Sequence, residues 1–246
     1  MRRLRGFLYW LVTDSWFARL VGIVFSRHVF DRYGRLSIPS DSSPRLVSGL
    51  IFEAYEYSER YLIRKWLPEN YSVVELGASI GVISREILYR IGPHKQLIAM
   101  EAVPSLAALA QDNIGHTYAT SRWQILPTAI AYNAQEVAFR TGSEHVAGRV
   151  DIELPTAGET YLKVQARTLS DVLSEFDISE YSLVMDIEGA EHQLINHDRG
   201  ALSGCRCLIS ELHGSQGEKD SFCRVVTELG MTLVERKHSV VVFLRP

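Results

Sequence analysis

A chain of 246 residues can bury a large core, and 46% hydrophobic with 22% charged residues is ordinary for a folded domain, which excludes disordered and collagen-like classes. The formal net charge of −3 gives no general reason to expect a nucleic-acid partner. The cysteines Cys205, Cys207 and Cys223 make an odd count, and the first two alternate along an apolar run, so they read as reduced core thiols of a cytoplasmic protein.

Residues 1–44 read as a basic, aromatic-rich helical arm, in which seven Arg (2, 3, 5, 19, 27, 32 and 35) face Asp14 and Asp31 before residue 37. Its start imitates a signal peptide, but Asp14 and Arg19 interrupt the apolar stretch and no small-residue cleavage site follows. No uncharged run reaches the roughly 18 residues of a membrane span. From Phe7 to Phe30, aromatic and aliphatic residues punctuated by Arg fit two readings. One is one or two helices packed on the domain or on a second subunit of a homodimer; the other is a peripheral helix at the inner face of the membrane. The polar link Ser37–Pro44 closes the arm, and residues 45–246 form the main domain.

Val47 to Trp66 has helical spacing and is stopped by Leu67-Pro68. An apolar strand (Val73–Leu76), a small-residue turn (Gly77-Ala78-Ser79), a helix from Ile80 to Gly92-Pro93 and a second strand (Gln96–Met100) follow. Ile80, Ile83, Ile87 and Ile91 mark the helix face that packs on the sheet. Pro104 starts the next helix, and Trp123–Ala131 reads as a third strand. Val137–Arg140 and Tyr161–Ala166 alternate as a hairpin-like pair, separated by the long polar stretch Thr141–Thr160, either a lid or a solvated excursion. A helix over Thr168–Phe176, a strand over Ser182–Ile187, a helix over Ala190–Ile195, a strand over Cys205–Leu212 and a helix over Glu218–Leu229 come next. Met231–Arg236 and Val240–Leu244 end the chain as an antiparallel pair. This order predicts an α/β, doubly wound, Rossmann-like sheet of seven mostly parallel strands with the last one reversed.

In such a sheet, ligands sit beyond the carboxyl ends of the strands. The residues there are Glu75, Gly77, Ala78, Ser79 and Gly81, then Glu101-Ala102, Thr128-Ala129, Asp186 with Glu188, and Glu211 with His213. The turn lets a backbone approach an adenosine-containing cofactor, and Glu101 beyond the second strand suits its ribose hydroxyls, a pattern open to NAD and to S-adenosylmethionine alike. Asp186 is a charge at the end of an apolar strand, where burial without a partner is unfavourable. Glu188 and Glu191 also read as acids favoured at a helix start. His213 reads as a general base or as a surface histidine.

The segments VVELGASIGVIS, AMEAVPS, LPTAIAY, RTLSDVL, LVMDIEGAEHQLI and ISELHG, in this order between about Phe52 and Leu244, resemble the FkbM-type methyltransferases. The run Asp186–Glu191 after TLSDVL is the most specific part. Ser79, Glu75 and Ala102 depart from the family's usual residues. The resemblance implies an S-adenosylmethionine-dependent O-methyltransferase, yielding S-adenosylhomocysteine, that acts on a hydroxyl of a sugar, polysaccharide or natural product. It places Gly77, Ala78, Ser79 and Gly81 at the methionine moiety, Glu101 at the ribose and Thr128-Ala129 near the adenine. Asp186 or His213 would then serve as base, with Glu188 and Glu211 orienting it or the acceptor. A divalent ion on Asp186, Glu188, Glu211 and His213 is the metal-assisted alternative within the same class; an NAD-binding or non-catalytic Rossmann protein is the alternative outside it.

Overall fold

The computed structural model of the protein describes residues 28–132, 134–140 and 161–246, together with Trp16, Leu20, Val21 and Val24. The predicted arm helices and the polar stretch 141–160 therefore lie almost wholly outside the described residues. Where the helical arm was expected to end, the chain instead forms a hairpin, β1 (His28–Asp31) and β2 (Gly34–Ser37). Gly34, at φ 105°, takes the turn conformation that a side chain would disfavour. Val29, Leu36 and Ile38 are buried in one cluster with Ile80, Val82 and Leu106, so the hairpin is packed on the domain.

The single helix expected over Val47–Trp66 is two: α1 (Pro44–Ile51) and α2 (Tyr57–Trp66). Glu53 and Glu56 between them have φ of 52° and 50°, and the Gly49 carbonyl accepts from the Ala54 and Tyr55 amides. Nothing in that stretch is a Pro or Gly breaker, so helical spacing alone carried the reading across the bend. Next come β3 (Ser72–Leu76), α3 (Val82–Ile91), β4 (Gln96–Met100), α4 (Pro104–Gly115) and β5 (Arg122–Leu126). Pro127 ends β5, and the expected continuation becomes β6 (Ala129–Ile130), which leaves the main sheet to pair with β8 (Tyr161–Arg167). β7 (Glu136–Arg140) pairs antiparallel with β8, the predicted hairpin-like pair.

The remaining elements are α5 (Leu169–Glu175), β9 (Tyr181–Met185), α6 (Glu191–His197), a 3-10 turn (Arg199–Gly204), β10 (Cys205–Glu211), α7 (Gln216–Glu228), β11 (Thr232–Lys237) and β12 (Val240–Leu244). Seven strands form the main sheet in the order β11-β12-β10-β9-β3-β4-β5, with β12 antiparallel to both neighbours. The predicted topology and reversed last strand are thus present. Alternate strand residues feed two cores. Val74, Leu76, Leu183 and Leu208 face α5, α6 and α7, while Val73, Leu97, Val184 and Ile209 face α2, α3 and α4. Cys205 and Cys207 are free and buried, the reduced core thiols the sequence predicts; a β-bulge between them places these residues, two apart in sequence, on opposite faces of β10.

Strand order reverses between β3 and β9, whose ends carry Gly77 and Asp186. Behind this switch point, α2 and α3 bury an ion network. Glu86 receives two bonds from the Arg64 guanidinium at 2.7 Å each and one from the Tyr33 hydroxyl at 2.6 Å. Arg85, fully buried, meets Asp31 at 3.0 Å. These contacts fasten the N-terminal hairpin to the helix that follows the cofactor-type turn.

Candidate active site

The turn after β3 is shaped by close backbone approach. Gly77 has φ 91°, and a Cβ there would lie 2.0 Å from the Asp186 carbonyl oxygen, so only glycine fits. The Gly77 and Ala78 amides both donate to the Met100 carbonyl, at 2.9 Å each, which ties the turn to the end of β4. Ser79 is held at φ 48° and donates its amide to Glu101 Oε2 at 2.7 Å. Gly81 has φ 84°, and a Cβ there would press on Ala110 of α4.

Glu101 stands at the end of β4, with Oε1 accepting from the Val103 amide at 2.8 Å. Burial raises its carboxyl, and the backbone donors work against that shift. Main-chain amides, those of Ser79 and Val103 among them, thus hold this carboxyl group at the end of β4. Glu75 lies further in: fully buried, it accepts from Ser84 Oγ at 2.6 Å, and burial pushes its carboxyl up to about 8. Thr128 lies two residues beyond β5, with a buried Oγ1 that has no hydrogen-bond partner; Ala129 is buried beside Ala102 and Val164.

The second half of the site follows β9 and β10. Asp186 donates its amide to the Leu76 carbonyl at 2.9 Å, joining the acid to the cofactor-type turn. Its Oδ1 is buried and accepts no hydrogen bond, and burial together with the Glu211 charge raises the carboxyl. His213 faces three carboxyl groups: Nδ1 is 2.9 Å from Glu191 Oε1, and Nε2 is 3.7 Å from Asp186 Oδ1 and 3.5 Å from Glu188 Oε2. The Glu191 bond lifts the imidazole to about 9. Glu211 turns away, with Oε1 accepting from Ser239 Oγ at 2.6 Å. The hydrogen bond that orients His213 therefore comes from Glu191, which the sequence left open between a helix-start acid and a direct role, and not from Glu188 or Glu211.

Three further residues escaped the sequence reading. The bend between α1 and α2 brings Tyr55 and Glu56 to this site, and Glu59 follows on α2; carboxyl oxygens of Glu56, Glu59 and Asp186 all lie within 4.8 Å of one another. Burial and the Glu56 charge raise the Tyr55 phenol, and burial raises both glutamates. Their signal was hidden, since a charged residue inside an amphipathic helix reads as solvated.

A family model described as the methyltransferase FkbM domain matches residues 75–238, well over half of the chain. The chain belongs to the FkbM methyltransferase family. Every predicted site residue of this FkbM chain falls within the matched span. Among curated proteins nothing matches the sequence.

Solved structures similar to this FkbM chain include a protein of the NADB-Rossmann superfamily from Streptococcus agalactiae, at 12% identity over 76% of this chain and 68% of that one, with a TM-score of 0.48. Fibrillarin from Aeropyrum pernix, in complex with S-adenosyl-L-methionine, is 11% identical over 77% and 74%, with a TM-score of 0.46. Ribosomal protein L11 methylase from Lactobacillus delbrueckii subsp. bulgaricus is 10% identical over 78% and 80%, with a TM-score of 0.47.

The FkbM family's methyl donor is S-adenosylmethionine, and the residues present fit it. The Gly77 cradle admits no side chain, Glu101 is held by main-chain amides, and the buried Thr128 Oγ1 has no hydrogen-bond partner. No helix among the described residues is long and apolar enough to cross a membrane.

Proposed function

We propose that this chain is an S-adenosylmethionine-dependent O-methyltransferase whose acceptor is a hydroxyl of a sugar, a polysaccharide or a glycosylated natural product. The observation that carries the reading is Asp186: a buried carboxyl oxygen that accepts no hydrogen bond, one residue beyond β9, on a backbone bonded to the cofactor-type turn. An alcohol acceptor needs a proton acceptor within hydrogen-bond reach, whereas a neutral amine does not. The sugar or natural-product class rests on the family resemblance.

When bound, S-adenosylmethionine supplies a sulfonium methyl that an acceptor oxygen attacks in line. Gly77, Ala78, Ser79 and Gly81 hold the methionine portion by backbone approach, Glu101 accepts from the ribose hydroxyls, and Thr128 with Ala129 borders the adenine. Asp186 receives the acceptor's proton, and Tyr55, Glu56 and Glu59 wall the same site from the helical side. Positioning of the two reactants and exclusion of water supply most of the rate.

The test is incubation of the purified chain with S-adenosylmethionine and a panel of saccharides, glycosylated natural products and simple amines, with mass detection of methylated product. We expect methyl ethers on saccharide hydroxyls. Glu101→Gln should weaken S-adenosylhomocysteine binding by at least about tenfold, the loss expected for one charge-assisted bond. Turnover confined to amines would overturn the hydroxyl assignment.

A further inference from the structure

His213 stands with carboxyl groups on both sides of its ring. Behind it, Glu191 has no exposed surface, and its Oε1 lies 2.9 Å from Nδ1. In front, Nε2 is 3.7 Å from Asp186 Oδ1 and 3.5 Å from Glu188 Oε2. A neutral imidazole carries a proton on one nitrogen and a lone pair on the other. With Nδ1–H directed at Glu191, that lone pair would point at two acids, whereas a second proton makes both sides of the ring attractive. The backbone is held in place as well: His192 Nε2 lies 3.2 Å from the His213 carbonyl oxygen, and Glu191 Oε1 also accepts from the Ile187 amide at 3.4 Å.

Asp186 needs such a cation. Acids face it from several elements: Glu56 and Glu59 from the α1–α2 bend and α2, with oxygens within 4.8 Å of its own, Glu188 from the turn after β9, Glu191 from α6 and Glu211 from β10. Carboxyl groups this close cannot all ionise without a counter-charge. Burial and the Glu211 charge raise Asp186 to about 7, and the His213 charge works the other way. Arg60, a basic residue that acts on Glu56, is engaged by Glu86 at 3.4 Å and by Glu53 at 3.7 Å.

We propose that His213 serves methyl transfer as a fixed imidazolium and not as the base, with Glu191 as the positioning residue that holds its charge against Asp186 and Glu188. As the oxygen–methyl bond forms and the sulfur–methyl bond breaks, the acceptor's proton passes to the Asp186 carboxylate, which His213 keeps ionised. His213 itself neither gains nor loses a proton. The Glu191 bond lifts the imidazole to about 9, in keeping with a ring that is charged at neutral pH. The role in the reaction rests on the reading of Asp186 as proton acceptor; the charge state of His213 does not.

The experiment is nitrogen-15 resonance of the full chain with ring-labelled histidine at about pH 7.5, without methyl donor or acceptor, the His213 signal being the one absent from His213→Gln. Both ring nitrogens of His213 should carry protons in the wild type. Glu191→Gln should return the ring to its neutral form, and Glu191→Asp, which keeps the charge, should retain the imidazolium. S-adenosylhomocysteine binding by calorimetry reports the fold of each variant; should Glu191→Gln misfold, the wild-type signal followed from about pH 6 to 9 decides alone. A neutral His213 in the wild type, or an imidazolium that persists in folded Glu191→Gln, overturns the proposal. For the role in the reaction, the pH profile of kcat is compared between wild type and His213→Gln on an acceptor from the panel above. Loss of one facing cation should move the acid limb up by at least about one pH unit. A loss equal at every pH makes His213 structural and overturns that role. If the panel yields no product, the methyl-acceptor reading fails by itself, and the carbon-13 resonance of the Asp186 carboxyl against pH in the two proteins carries the same comparison.

Discussion

A Cβ on Gly77 would stand 2.0 Å from the carbonyl oxygen of Asp186, so the cofactor-type turn and the acid of the next strand leave no room for a methyl group between them. The two halves of the site are locked at this point, and Asp186 cannot be placed independently of the turn.

Gly77→Ala should therefore damage both. The φ of 91° and the backbone clash predict destabilisation by about 1–3 kcal/mol, or a displaced turn. A lower melting temperature with loss of S-adenosylhomocysteine binding is the expected outcome. Gly200→Ala, which meets nothing within 4 Å and has no strained φ, should be close to neutral.

Glu75 predicts a pH signature. Its carboxyl is raised from 4.5 to about 8 by burial, so across that window the folded chain keeps a proton that the unfolded chain has lost. Stability from this group is hence fully present below about pH 4.5 and falls as pH rises towards 8. Glu75→Gln, which mimics the protonated acid, should match wild type near pH 5 and melt higher near pH 8. A melting-temperature difference that stays flat with pH would count against the assignment.

Asp31→Ala leaves the fully buried Arg85 guanidinium without its counter-charge. Removing one partner of a buried pair costs about 3–5 kcal/mol. Urea unfolding should show a loss of that order, whereas removal of the exposed Glu69 partner of Arg90 should change stability by less than about 1 kcal/mol.

Truncation separates arm from domain. A chain starting at residue 28 retains Val29, Leu36 and Ile38 and should melt near the full-length value; one starting at residue 38 loses the hairpin and should melt lower. Sedimentation with anionic vesicles, compared between full chain and the longer truncation, reports any lipid contact of residues 1–27.

The sheet and its strand-turn-helix-strand unit were legible because their signals are local. Strand, turn, helix and strand follow one another from Ser72 to Glu101, and the acids fall where apolar runs end. The hairpin at residues 28–37 was not legible, since its Arg and aromatic residues continue the composition of the preceding arm and its burial depends on distant Ile80 and Leu106. The inward glutamates Glu56 and Glu59 and the Arg64–Glu86 pair were hidden for the same reason: charges 22 residues apart, as in that pair, reveal their pairing only after folding. Glu191 shows the limit most sharply. Its position at a helix start explains an acid there without a site, and only the return of β10 brings His213 to its side chain.

The reversed strand has a consequence for synthesis. β12 is made last yet lies between β10 and β11, so until residues 240–244 leave the ribosome one edge of β10 lacks its neighbour. Ser239, which holds Glu211, also arrives only then. The half of the sheet carrying β3, β4 and β5 can therefore condense on a growing chain while the half carrying His213 waits for residues 240–244, and a nascent chain stalled before residue 240 would expose an unpaired, apolar strand edge prone to self-association.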